Sequence, residues 1–271
     1  MRGEDDDDNN NNNMENHLSK LVEYTIPGEE QYLIVSGSGS RLRTSYNPPL
    51  VFDSSDAGYE ISLLRLETYF SFPNIDSSNN CVRISIDRGV TWCTVKIPIG
   101  CYDIDSINEV MQGVLMETYG ERQKEKHVIL SANRNTLRCI LEIRDTTTIV
   151  DFNIENSLRT VLGFTAKQYK KKGRFESENI VNILNVNSIL VHCDIVGASR
   201  LNGIEAPVIY NFFPDVSPGE KIVSQPKHLI YIPLTIDVIP SMTSWLTDQN
   251  QKELDLRGEE LTLTFHVRKR R

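Results

Sequence analysis

Three adjacent residues in "VHCDI", His192, Cys193 and Asp194, have the types that build a nucleophile, its base and an orienting acid. Their spacing works against that chemistry on a strand. Successive side chains point to opposite faces, so Cys193 shares a face with neither neighbour and is expected in a core. The five histidines, His17, His127, His192, His228 and His266, form no pair at metal-ligand spacing and are expected at the surface or at strand edges. "SGSGS", Ser36 to Ser40, lacks the lysine and helix of a phosphate loop, and the chain has no GxSxG elbow. The five cysteines, Cys81, Cys93, Cys101, Cys139 and Cys193, are widely spaced without a CxxC pair. They read as small apolar residues rather than a disulfide framework or a zinc knuckle. No catalytic residue, cofactor or metal ligand is nominated, and a non-enzymatic protein without a small-molecule substrate is expected.

Two basic clusters have the chemistry to meet an anion. "KQYKKKGR" supplies Lys170, Lys171, Lys172 and Arg174 around Tyr169, and the chain end supplies Lys269, Arg270 and Arg271. These are candidate contacts to phosphate or to an acidic partner, with a solvated loop and a solvated tail as the alternative; nucleic acid is expected only through them. The net charge of -8 does not indicate a broad nucleic-acid-binding face, because Arg2 with Glu4 to Asp8 accounts for half of it and the remaining chain is mildly acidic.

The elements that must position these residues are mostly strands. With 271 residues, 39% hydrophobic and 24% charged, the chain is long enough for a sizeable core. No apolar run approaches the roughly 20 residues of a membrane helix, and "MRGEDDDDNNNNNMENH" lacks the apolar core of a signal peptide. A cytosolic or nuclear protein with no membrane association is expected. Residues 1 to 17 have too little apolar surface to fold and are expected to be a disordered Asp/Asn-rich tail, dispensable for folding. Residues 18 to 50 read as an N-terminal extension or arm, with strands at "LVEYTIP" and "QYLIV" and a loop over "SGSGSRLRTSYNPP".

From Val51 onward, alternation in "YEISLLRLETYF", "CVRISID", "VTWCTVKIPIG", "HVILSA", "LRCILEI", "TIVDFN", "NIVNIL", "SILVHCDIV", "PVIYNFF", "KHLIYIPL" and "MTSWLTD" predicts strands. "LTLTFHVR" alternates strictly, with Leu261, Leu263, Phe265 and Val267 on one face, and ends the fold. Between them, Ile104, Ile107, Val110, Met111, Val114 and Leu115 fall on one helical stripe, with Ser106 and Glu109 as a capping-box pattern and Gly120 as a stop. A short helix is expected at "SLRTVLGF", capped by Asn156. This pattern, without repeats or βαβ alternation, predicts an all-β sandwich with helices in its connections.

Taken in order, "YEISLLRLETYFSFPNID", "IPIGCYDIDSINEVM", "SLRTVLGF" and "HLIYIPL" running on to "DLRGEELTLTFHVR" resemble the penton-type single jelly-roll minor capsid proteins of Polinton (Maverick) elements and adintoviruses, and more distantly adenovirus penton base. The resemblance implies a single jelly-roll β-sandwich over residues 51 to 268, with a basic tail at 269 to 271. It implies a structural virion protein forming homopentamers at capsid vertices and contacting a double jelly-roll major capsid protein. The protein would be made in the host cytoplasm, assembled in the nucleus and located in the virion. The Asp/Asn tail departs from that pattern, and no RGD loop is present. "RGE" at Arg257 is expected to be hairpin geometry.

A vertex subunit needs two different complementary patches on opposite flanks. "TYFSFPNI", with Tyr69, Phe70 and Phe72, is nominated for one flank, and "YNFFPDVSPGEK", with Tyr210, Phe212 and Phe213, for the other or the outer rim. The same aromatics would also serve to plug the ends of the sandwich. The alternative function is a carbohydrate- or receptor-binding β-sandwich, such as a spike or a TNF-like trimer.

Overall fold

The computed structural model describes residues 30–52, 58–197 and 199–270. The expected tail, the strand at "LVEYTIP" and Arg271 lie outside these residues. In chain order, β1 (Glu30–Ser38), β2 (Arg41–Val51) and β3 (Tyr59–Tyr69) come first. An inserted unit follows. It carries β4 (Cys81–Ser85), β5 (Cys93–Lys96), α1 (Ile104–Tyr119), β6 (Val128–Asn133), β7 (Arg138–Ile143) and β8 (Ile149–Asp151), then α2 (Arg159–Leu162), β9 (Gln168–Tyr169) and β10 (Gly173–Glu176). The chain then runs through β11 (Ile189–Cys193), β12 (Arg200–Leu201), β13 (Ile204–Glu205), β14 (Val208–Phe212), β15 (Lys221–Ser224), β16 (Ile232–Pro233), β17 (Val238–Thr247) and β18 (Glu260–Lys269).

Two four-stranded antiparallel paths face each other, one ordered β1-β18-β3-β15 and the other β14-β11-β17-β2. With the insert and the short extra strands set aside, this is the eight-stranded order of a jelly roll, two Greek keys wrapped into a sandwich. β18 sits between β1 and β3, so the last strand is an interior member of its sheet. Its apolar face, Leu261, Leu263, Phe265 and Val267, is fully buried between the sheets with Ile61, Leu66, Val191, Met242 and Leu246. Burial of a side chain such as Phe265 contributes about 2–3 kcal/mol.

The sandwich already includes Glu30–Ser38, well ahead of Val51, so the arm expected over residues 18 to 50 is corrected from residue 30 onward. "QYLIV" is the edge strand β1, and the stretch whose glycines and prolines suggest a loop is mostly strand β2. Gly39, at φ 86°, lets the chain bend from one sheet to the other. Pro48 and Pro49 are tolerated because β2 is an edge strand paired only with β17.

The jelly roll is also interrupted between β3 and β11, so it does not run unbroken from 51 to 268. The inserted unit has its own core of Ile84, Val95, Ile107, Met111, Leu115, Val128, Leu141, Phe152 and Leu162. The stripe of α1 buries Ile104, Ile107, Met111 and Leu115 in that core rather than against the sandwich. Asp103, not Ser106, caps α1: its carboxylate accepts from the Ser106 N–H at 2.7 Å, and the Ser106 side chain, then this N–H, hold its pKa below the usual carboxylate value. Gly120 ends the helix as expected, its N–H donating to Met116 O. The second helix forms at Arg159–Leu162 without a side-chain cap from Asn156. Gly163 closes it at φ 80°, where a Cβ would lie 2.3 Å from Asn179 O, so only glycine lets the returning chain pass. "NIVNIL" forms no strand; the Val181 and Asn182 N–H groups donate singly to Leu137 O and Val161 O as the chain returns to the sandwich.

Candidate functional site

The trio His192, Cys193 and Asp194 does not converge. Cys193 lies in the sandwich core, where burial pushes its thiol up to about 12. His192 is on the opposite face of β11, and exposed Asp194 accepts the Thr243 N–H at 2.9 Å. His192 is not a surface histidine. Its ring stacks on Trp245 at 4.8 Å and its Nε2 meets Thr247 Oγ1 at 2.9 Å, while Arg41 covers the Trp245 ring at 4.7 Å. Burial, then the Arg41 charge, lowers its pKa. His266 is buried as well, stacked on Tyr32 and bonded through Nδ1 to Tyr231 Oη at 2.8 Å. Alternation alone could not reveal either burial, because the residues that cover these rings come from distant strands and loops. Among the described residues, no cluster of His, Cys, Asp and Glu is placed to hold a metal ion, and no helix is long and apolar enough to cross a membrane.

The aromatic candidates separate by burial. Phe70 and Phe72 stack on each other at 4.3 Å and are buried with the sandwich core, Phe70 reaching the surface only where it lines a groove. Tyr210 and Phe212 are half-buried against the same core, and Tyr69 is partly exposed. Phe213, 60% exposed, is the candidate that stands clear of the core.

The two nominated segments also lie together rather than on opposite flanks. Tyr69 is in register with Lys221 of β15, and the Phe70 N–H donates to Glu220 O at 2.9 Å. Beside them, Phe70, Leu184, Val186, Phe213, Val216 and Pro218 line a groove.

The opposite flank is made by β1 and β2, the edge strands at the other ends of the two sheets. There Tyr32 and Ile34 point outward from β1, 67% and 68% exposed. The alternation of "QYLIV", whose Leu33 and Val35 are buried, carries the signal for them. An arm detached from the sandwich would have no outer face, so that signal has meaning only once β1 is placed in a sheet.

The basic clusters lie in different parts of the fold. Lys170, Lys171 and Lys172 occupy the β9–β10 turn and Arg174 lies in β10, all exposed on the inserted unit. Lys269 ends β18 opposite Tyr59, and the Arg270 N–H donates to Gly58 O. "RGE" is a tight turn before β18, with Arg257 and Gly258 at φ 55° and 83° and the Glu259 N–H donating to Leu256 O at 3.0 Å.

The fold is therefore a jelly-roll sandwich carrying an inserted helix-and-strand unit, with apolar side chains exposed on two different flanks. No family model matches the chain, and no curated protein matches it. Among solved structures it is similar to the mavirus penton protein, at 9% sequence identity and a TM-score of 0.48, over 88% of this chain and 100% of that one.

Proposed function

We propose that this chain is a structural capsid subunit of penton type. Copies of it close into a ring of five at capsid vertices, and the ring contacts a double jelly-roll major capsid protein. The observation that carries the reading is the pair of unlike apolar flanks on one sandwich, Tyr32 and Ile34 on β1 against Phe213 beside the Leu184 groove. A ring contact is heterologous, so it needs two different surfaces on each subunit, and apolar side chains exposed in the monomer gain about 25 cal/mol per Å² when the contact covers them. Ordered resemblance to penton-type proteins supports the same reading, since the stretches that carry it fall on β3, α1, α2 and β18, in both the sandwich and the insert. On this reading the protein acts by assembly rather than catalysis and resides in the virion, after synthesis in the host cytoplasm and assembly in the nucleus.

The solution mass of the purified full chain tests it, and a particle of five chains is expected. A monomer at every concentration that also fails to associate with major-capsid trimers would overturn the proposal. A stable trimer that binds glycans would point instead to a carbohydrate- or receptor-binding sandwich.

A further inference from the structure

The register of the inserted sheet gathers positive charge from three separated stretches of sequence. Val128 of β6 pairs with Ile143 of β7, which pairs with Gly173 of β10, and the Arg144 N–H donates to His127 O at 3.0 Å. Neighbouring strands are about 4.8 Å apart, so the chain before β6, after β7 and before β10 emerges at one sheet end within roughly 10 Å. The first stretch delivers Arg122, Lys124 and Lys126, the second Arg144, and the third Lys170, Lys171 and Lys172, with Arg174 just inside β10; all are exposed.

Acidic neighbours neutralise only part of this charge. Glu121 pairs with Lys124 and Glu142 with Arg144. Among the described residues no ion pair engages Arg122, Lys126, Lys170, Lys171, Lys172 or Arg174. On a chain of net charge -8, this is a local reversal of sign.

The end is also held in shape. His127 Nδ1 meets Asp145 Oδ2 at 2.6 Å and its Nε2 meets Arg122 O at 2.5 Å, tying the turn that carries Arg122, Lys124 and Lys126 to the turn that follows Arg144. The cations spread along the sheet end instead of converging on one point, which suits an extended polyanion better than a single phosphate. Tyr169 is buried and Phe175 half-buried against the inserted core, so neither offers an open face for base stacking.

We propose that this end of the inserted unit binds double-stranded nucleic acid through its phosphodiester backbone, without reading bases. Ammonium and guanidinium groups engage phosphates as they displace condensed counterions, so the contact is independent of sequence and steeply dependent on salt. Lys269 and Arg270 take no part, since they lie at the end of β18 in the sandwich. The inference does not depend on ring assembly.

Fluorescence anisotropy of the full chain with a duplex of about 20 base pairs and arbitrary sequence, between about 50 and 200 mM salt, is the test. K170E/K171E/K172E should weaken binding about tenfold or more at the lower salt and make the log–log salt slope shallower by about 0.9 for each phosphate the variant no longer neutralises. R122E/K126E, in a different stretch of sequence, should produce the same kind of weakening, whereas R270E should not. Thermal midpoints should stay at the wild-type value because every altered side chain is exposed, and if the triple variant fails to fold, R122E/K126E decides alone. Unchanged affinity in these variants, an equal weakening in R270E, or displacement of the duplex by less polyglutamate or sulfated glycan than by unlabelled duplex, at matched charge, would overturn the proposal.

Discussion

Asp145 shows how one side chain can organise two turns of the inserted unit. Its carboxylate accepts from the N–H and hydroxyl of both Thr147 and Thr148, at 2.7–2.8 Å, and faces His127 Nδ1. Partial burial pulls its pKa upward, but the bonds from Thr147, Thr148 and His127 outweigh it and hold the group at about 2. An unfolded aspartate titrates near about 3.9. The folded value is the lower one, so this stabilisation is present in full above about pH 5 and is lost as pH falls through about 2. Asp145→Asn should destabilise the protein at neutral pH by about 1–2 kcal/mol, since the amide accepts fewer of these bonds without charge assistance. Urea unfolding at about pH 7 and about pH 1.5 should find the gap between variant and wild type nearly closed at the lower pH, which lies below the folded pKa. An equal gap at both would mean that the carboxylate charge contributes nothing. No local pattern reveals this role, because "RDTTT" reads as a polar turn until β7 places it beside His127.

At the scale of elements, α1 separates buried from half-buried positions within a single apolar stripe. Leu115 has no exposed surface and lies in the inserted core, whereas Val110 only packs against that core from its edge. Leu115→Asp should therefore lower stability by about 4 kcal/mol or more, through an unpaired buried charge, and Val110→Asp by about 1–2 kcal/mol. Thermal melts of both variants would check the order, and equal effects would mean that the two positions are buried alike.

What can be read from the sequence follows from range. Hairpins β4–β5 and β6–β7, helix α1 and strand β18 announce themselves in local periodicity, and the structure contains each of them. β2 does not, because Pro48 and Pro49 look like a loop unless the strand is known to be an edge. The division into two cores is equally hidden: Leu115 and Leu261 have the same local character, and only the path of the chain assigns them to different interiors. The relation between the flanks is hidden for the same reason, as Tyr69 and Lys221 are neighbours through a pairing that no local pattern predicts.

For the whole molecule, the question is whether the two apolar flanks meet each other or meet themselves. If β1 of one subunit packs against the Phe213 side of the next, the contact is heterologous and repeats until the ring closes. Phe213→Asp removes one half of that contact and Ile34→Asp the other half. Each variant alone should then be a folded monomer, because Phe213 and Ile34 are mostly exposed and contribute little to the fold. Mixing the two variants restores one intact contact, between the β1 face of the Phe213→Asp chain and the groove of the Ile34→Asp chain. The opposite ends of that pair each carry a substituted face, so growth stops at two. Light scattering should therefore find monomers in each pure sample and a heterodimer, with nothing larger, in the mixture. A self-complementary interface predicts otherwise: if Phe213 met Phe213 across a two-fold axis, Ile34→Asp would still assemble on its own, and mixing would rescue nothing. Should the mixture stay monomeric while wild type forms the ring, the contact surfaces lie elsewhere on the sandwich, and the pairing of β1 with the Phe213 groove is wrong.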